Sequence, residues 1–186
     1  MPWVLVVVGV VVVLAGLWAV VTYNGFVKLR NIVEESWKQI DVELHRRYDL
    51  IPNLVETVKG YAGHERQTLE AVTAARSAAA TPGATPAEQA AQENMLTGAL
   101  RQLFAVAEAY PDLKANTSFL ELQSQLTETE DRIAAGRRFY NANVRTLNTK
   151  VQSFPPNVVA RVFNFEEAEY FEAEDPTVRR APEVRF

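Results

Sequence analysis

The sequence contains no cysteine and only two histidines, His45 and His64. Thiolate catalysis and cysteine-rich metal centres are therefore excluded, and a zinc site built from several histidines cannot be assembled within one chain. Carboxylate-bridged di-iron bundles need Glu-x-x-His steps, whereas Val42 and Tyr61 stand three residues before the two histidines. Glycine is scarce as well, and the eight present form no phosphate loop, dinucleotide fingerprint or nucleophile elbow. Positive charge is not in excess: the formal net charge is -4, with 15 basic against 16 acidic residues over 23–152 and 4 against 7 over 153–186. No basic field of the kind that binds nucleic acid exists. The lack of cysteine suits a reducing compartment without requiring one.

Charge is missing altogether between Trp3 and Val21, WVLVVVGVVVVLAGLWAVV. At about 1.5 Å per residue a helix of this length crosses the ~30 Å hydrocarbon layer, and Trp3, Trp18 and Tyr23 fall where amphipathic rings favour the interface. A cleaved signal peptide would need a basic start, a shorter apolar stretch and small residues at its cleavage point. Leu17, two positions before Ala19, is too large for that rule. A retained span over residues 1–22 is expected. The nearest basic residues, Lys28, Arg30 and Lys38, follow it, which predicts Met1 outside the cell membrane and the body in the cytoplasm. Gly9, Gly16 and the Ala15/Ala19 step are small-residue positions through which two spans could approach.

From Val33 onward the apolar period is helical. Val33, Trp37, Ile40 and Leu44, then Ile51, Leu54, Val58, Tyr61, Leu69 and Val72 form a stripe that other helices must cover. Asp49 followed by Pro52 predicts a break or sharp kink, with an unbroken helix bent at the proline as the alternative. AATPGATPAE, residues 79–88, reads as a loop, with Thr85, Pro86 and Glu88 as cap, first-turn proline and capping-box glutamate of the next helix. That helix runs along Leu96, Ala99, Leu103, Val106 and Tyr110 to Pro111, and Asn116 to Ser118 cap another. The last stripe, from Phe119 through Leu122, Leu126, Ile133, Tyr140, Val144, Leu147 and Val151 to Phe154, is the longest. An all-α fold follows: a single N-terminal transmembrane helix, then a long antiparallel up-down four-helix bundle over 23–153. Trp37, Ile40, Leu44 and Tyr140 are expected in its core.

Polar residues fall on or beside the stripes: Asn31, Arg47, Asn53, Arg76, Arg137 and Asn141. Buried arginines need carboxylates, and Glu34, Glu56, Glu65 and Glu130 are nearest by helical position. Asn31, Arg137 and Asn141 are candidates for a buried polar layer that fixes helix register, while Arg47 and Arg76 either join such pairs or extend to solvent along the bundle edge. Asp41 and His45 share a helix face, and an exposed intrahelical contact is the expected role.

Residues 154–186 form a third segment, partly packed on the bundle and then acidic and disordered. FPPN ends the fourth helix, and Val158, Val159, Val162, Phe163 and Phe165 are expected to fold back over the bundle end rather than dock on a partner or the membrane surface. EEAEYFEAED sets Tyr170 and Phe171 among six acids, a composition suited either to a disordered partner-binding tail or to a solubilising one.

The stretches YNGFVKLRNIVEESWKQIDVELHRRYDLIPNLVETVKGYAGHERQTLEAVTAAR and AYPDLKANTSFLELQSQLTETEDRIAAGRRFYNANVRTLNTKVQSFPPN, with the later FNF and YFE, closely resemble the LemA family across nearly the whole chain. The resemblance implies one N-terminal span with a short outer end, a cytoplasmic helical bundle, and membrane-associated proteins linked in some cases to membrane proteases or to membrane-compartment organisation. It brings no catalytic residues. The expected function is a non-catalytic scaffold or adaptor without cofactor, holding a protein partner at the membrane. The alternatives are a regulator of a membrane protease, a structural homo-oligomer, and an enzyme with an unrecognised bundle-core site.

Overall fold

The computed structural model describes residues 2–172. Its regular structure among those residues is entirely helical: α1 (Pro2–Ala62), α2 (Arg66–Ala79), α3 (Pro86–Ala107), α4 (Pro111–Lys114), α5 (Thr117–Gln152) and α6 (Pro156–Val162). Packing divides the chain into two compact units. Among the described residues, one takes Pro2–Gln39 together with Arg138–Ala168, and the other takes Ile40–Arg137 with Glu169–Glu172.

In the first unit, α1 opens with the apolar run, whose side chains from Trp3 to Val21 are exposed at every position but Ala19, which is half-buried. A soluble surface does not carry so long an apolar sleeve, whereas hydrocarbon would solvate it. Beyond it α1 becomes amphipathic, burying Thr22, Phe26, Val33 and Ser36. The end of α5 covers this face with Tyr140, Asn141, Val144, Leu147 and Asn148, and α6 adds Val159 and Ala160. Trp37 is half-buried, its ring 5.4 Å from that of Tyr140.

In the second unit α1 buries Ile40, Leu44, Tyr48, Ile51, Leu54, Val58 and Ala62 at steps of three and four. Against them lie Leu69, Val72 and Ala79 of α2, Leu96, Leu100 and Leu103 of α3, and Phe119, Leu126 and Ile133 of α5. Tyr48 reaches the end of α2 at Ala79, Glu65 after α1 meets Tyr110 after α3, and α5 pairs Arg132 with Glu43 and Asn116 with Tyr61. Successive long helices therefore alternate in direction, as the up-down expectation requires. At Gly136 a methyl group would lie 3.0 Å from Ile40 Cγ1, so glycine lets α5 approach α1 closely there.

The expected break at Asp49 to Pro52 does not occur. α1 continues through Pro52 to Ala62, and the turn falls at Gly63 to Glu65. Proline removes the N–H that would bond the carbonyl four residues back, Tyr48. That carbonyl accepts instead from Arg76 Nε of α2 at 2.6 Å, so the helix survives because a neighbour satisfies the freed group. The other boundaries follow local chemistry. Thr85 Oγ1 accepts from the Glu88 N–H at 3.4 Å while the Thr85 N–H donates to Glu88 Oε2 at 2.9 Å, the reciprocal pair of a capping box. Gly83 takes φ +92° in the preceding loop, a conformation open mainly to glycine. Asn116 Oδ1 accepts from the Phe119 N–H at 3.0 Å and opens α5.

Candidate functional site

Two polar constellations stand out, one in each unit. In the second unit Arg47, with its charged guanidinium, is 1% exposed. Its Nη1 donates to Glu93 Oε2 at 3.1 Å, and its Nη2 donates to Thr97 Oγ1 at 2.7 Å and lies 2.8 Å from Glu130 Oε1. Glu93 Oε1 accepts from the Tyr48 hydroxyl in a short contact and from Gln89 Nε2 at 2.9 Å; Gln89 Nε2 also donates to Ala79 O, and the Tyr48 hydroxyl oxygen lies 3.1 Å from that carbonyl. Burial pushes the Glu93 carboxyl above the usual carboxylate range, against the lowering effects of Tyr48, Arg47 and Gln89. Burial, with the Glu93 carboxylate beside it, also pushes the Tyr48 phenol far up, so the hydroxyl stays a donor. α1, α2, α3 and α5 all contribute to this one level, through side chains or through the Ala79 carbonyl. Its chemistry is structural: the donors and acceptors are spent on one another, and Arg47 Nε alone of the guanidinium lacks a partner among the described residues.

In the first unit, aromatic rings gather where α1 leaves the apolar run. Phe26 stacks on Phe165 with centroids 4.9 Å apart, and Tyr23 meets Phe163 and Phe165 edge-on at 4.8 and 5.5 Å. Lys150 Nζ lies 4.6 Å over the Phe26 ring and donates to Thr22 O at 3.4 Å; burial pushes its ammonium pKa down. Gly25 makes room for it, since a methyl there would overlap Nζ. Arg30 covers Phe165 at 5.6 Å. Asn148 locks the returning chain by exchanging two 2.9 Å hydrogen bonds with the backbone of Ala168.

The residues singled out from sequence are distributed as follows. Ile40, Leu44 and Tyr140 are buried and Trp37 is half-buried. Of the trio expected in a polar layer, Asn141 is buried, whereas Asn31 and Arg137 are exposed. They flank the inward stripe rather than lie on it, and the buried charge is Arg47 instead. Arg47 does find Glu130, but its deeper partner Glu93, with Tyr48, Gln89 and Thr97, escaped sequence reasoning. The available signal was that Gln89, Glu93 and Thr97 recur every four residues beside the Leu96, Leu100 and Leu103 stripe. Phe171 is 2% exposed and Tyr170 half-buried, so Phe171 is not available as a free recognition residue. The rest of the acidic tail, from residue 173, lies outside the described residues. His45 Nδ1 sits 3.3 Å from Asp41 Oδ1 on the exposed side of α1. No group of three His, Cys, Asp or Glu side chains fit to hold a metal occurs among the described residues. A shallow depression beside His45 is lined by Asp41, Val42, Arg46, Asp49, Leu50 and Asn53, all from α1, so no second element converges on it.

A family model described as LemA family matches residues 36–186. Magnetosome protein MamQ 2 of Paramagnetospirillum magneticum is 28% identical over 175 residues, which cover 81% of this chain and 64% of that protein. Protein LemA of Metamycoplasma hominis is 28% identical over 155 residues, covering 82% and 69%. Magnetosome protein MamQ of Magnetospirillum gryphiswaldense is 25% identical over 174 residues, covering 80% and 64%. The chain thus spans just under two thirds of the length of these MamQ proteins.

Proposed function

The chain belongs to the LemA family, and from that premise we propose that it is a membrane-tethered, non-catalytic scaffold or adaptor whose helical body faces the cytoplasm. The observation that carries this reading is the exposed run from Trp3 to Val21 on the same helix, α1, that goes on to build the core of the bundle. Such a chain is confined to a surface by one element and presents a folded body by the rest. Confinement raises the local concentration of neighbours, so weak contacts suffice for association. The polar level around Arg47 supports a structural use of buried charge, because Arg47, Tyr48, Gln89 and Glu93 are shielded from solvent and bonded to each other. Lys28, Arg30 and Lys38 beyond the run support the cytoplasmic placement. The relatives named as magnetosome proteins support placing this chain at a membrane.

Proximity labelling from a tag at the C-terminus, in living cells, tests both parts. The expected result is biotinylation of cytoplasmic proteins and a reproducible set of integral membrane neighbours. Labelling confined to the outer compartment would overturn the orientation. A neighbour set no different from that of an unrelated protein fused to the same span would overturn the adaptor role.

A further inference from the structure

We propose that the outer face of α6, with the residues flanking it, is a second membrane contact that lies in the headgroup boundary of the bilayer holding the N-terminal span. α6 has two apolar faces. Val159 and Ala160 are buried inward, while Val158, Val162 and Phe163 are more than half exposed and Phe154 is 81% exposed. A soluble surface seldom leaves four large apolar side chains together on one short segment.

What covers them is indicated by where they sit. Phe163 packs edge-on against Tyr23 at 4.8 Å, and Tyr23 lies two residues beyond Val21, the last residue of the apolar run. If the run fills the ~30 Å hydrocarbon layer, Tyr23 stands at its edge, where aromatic rings concentrate, and the Phe163 ring stands there too. The α6 patch is therefore continuous with the lipid-facing surface of the span rather than remote from it. The polar groups around it suit the same depth. The Lys150 ammonium sits at the level of Thr22 and Phe26, Arg30 covers Phe165, and Arg161 projects from α6 itself. These basic groups are joined by Glu166 and Glu167, which follow Phe165, and apolar side chains rimmed by charged ones are the composition of a segment lying in a membrane interface. Lipid is already present at the depth where the chain leaves the bilayer, and the patch is continuous with the surface that lipid covers.

This inference rests on the span being inserted, so its test reports on both. The full chain has no native cysteine, and Val12→Cys, Val42→Cys, Val158→Cys and Val162→Cys variants can each carry a single nitroxide. Each is reconstituted in vesicles of phosphatidylcholine and phosphatidylglycerol, and its collision rates with oxygen, which partitions into lipid, and with a water-soluble nickel chelate are compared. Val42, exposed on α1 beyond the run, serves as the aqueous reference. Labels at 158 and 162 should show an oxygen-to-nickel ratio several-fold above that at 42 and below that at 12. A ratio at 158 and 162 equal to that at 42, with position 12 in lipid, overturns the inference and leaves the anchor standing. Protection from both reagents at 158 and 162 means that protein, such as a second copy, covers the face, and overturns it as well. A water-exposed label at 12 removes the anchor and this contact together.

Discussion

At the scale of single residues, the Arg47 level is the strongest commitment in the molecule. Removing one member of a buried pair strands the other, which is far worse than never having had either. Arg47→Met should therefore lower stability by about 3–5 kcal/mol, read from thermal unfolding followed by circular dichroism in detergent. Arg47→Met combined with Glu93→Met should recover most of that loss, because the stranded carboxylate is gone. Equal losses in the single and double variants would show that Glu93 was not the group left exposed to the deficit. Titration gives an independent check. Burial holds the Glu93 carboxyl above its ordinary value of 4.5, so the folded state keeps this proton to a higher pH than the unfolded chain does. As far as this group is concerned, stability is then full below pH 4.5 and falls as the pH rises through the raised value. Glu93→Gln should flatten that falling limb, and a limb of unchanged slope in the variant would assign it to other groups. Much of this site could be read in advance only as a need. Arg47 on an apolar stripe demanded a carboxylate, and Glu130 was named, but Glu93 sits on a different helix whose register against α1 no local pattern specifies.

Among the helices, the boundaries set by local chemistry were legible and the one set by tertiary contact was not. Thr85, Pro86 and Glu88 are all within one turn, so the start of α3 is written in four consecutive residues. Pro52 carries an equally local signal for a break, yet α1 runs through it because Arg76, 24 positions later in the chain, donates to the Tyr48 carbonyl. The two residues should therefore be energetically coupled. Arg76→Ala leaves a half-enclosed carbonyl without a donor and should destabilise by about 1–3 kcal/mol. In a Pro52→Ala background the helix regains its own N–H for that carbonyl, and the same substitution should be several-fold milder. A double-mutant cycle measured by denaturant unfolding gives the coupling directly. Additive effects would mean that Arg76 acts elsewhere. The same lesson applies to Asn31 and Arg137. A stripe on a helix is about a third of its circumference, and residues one step off its edge face solvent although they look central in sequence.

For the molecule as a whole, the decisive quantity is how firmly the apolar run holds the chain to a bilayer. From Trp3 to Val21 there are ten valines and three leucines. On an insertion scale each contributes about 0.3–0.6 kcal/mol near the centre of a span, so together they supply at most about 4–8 kcal/mol. One arginine at the centre opposes this with about 2.5–3.5 kcal/mol. Val12→Arg alone should thus leave the protein in the membrane fraction after alkaline carbonate extraction. Val8→Arg with Val12→Arg brings the balance close to zero and should release a substantial share. Both sites face outward with no contact to the rest of the described chain that an arginine would break: Val8 is 53% and Val12 64% exposed. Release should therefore come without loss of helical signal from the body. If the double variant stays bound as firmly as the parent, the run is not what holds the chain, and the body is held at the membrane by the α6 face or by other proteins. If a single arginine already releases it, the true span is shorter than the apolar run. In that case the level assigned to Tyr23 and Phe163 moves away from the hydrocarbon edge, and the depth argument for α6 moves with it.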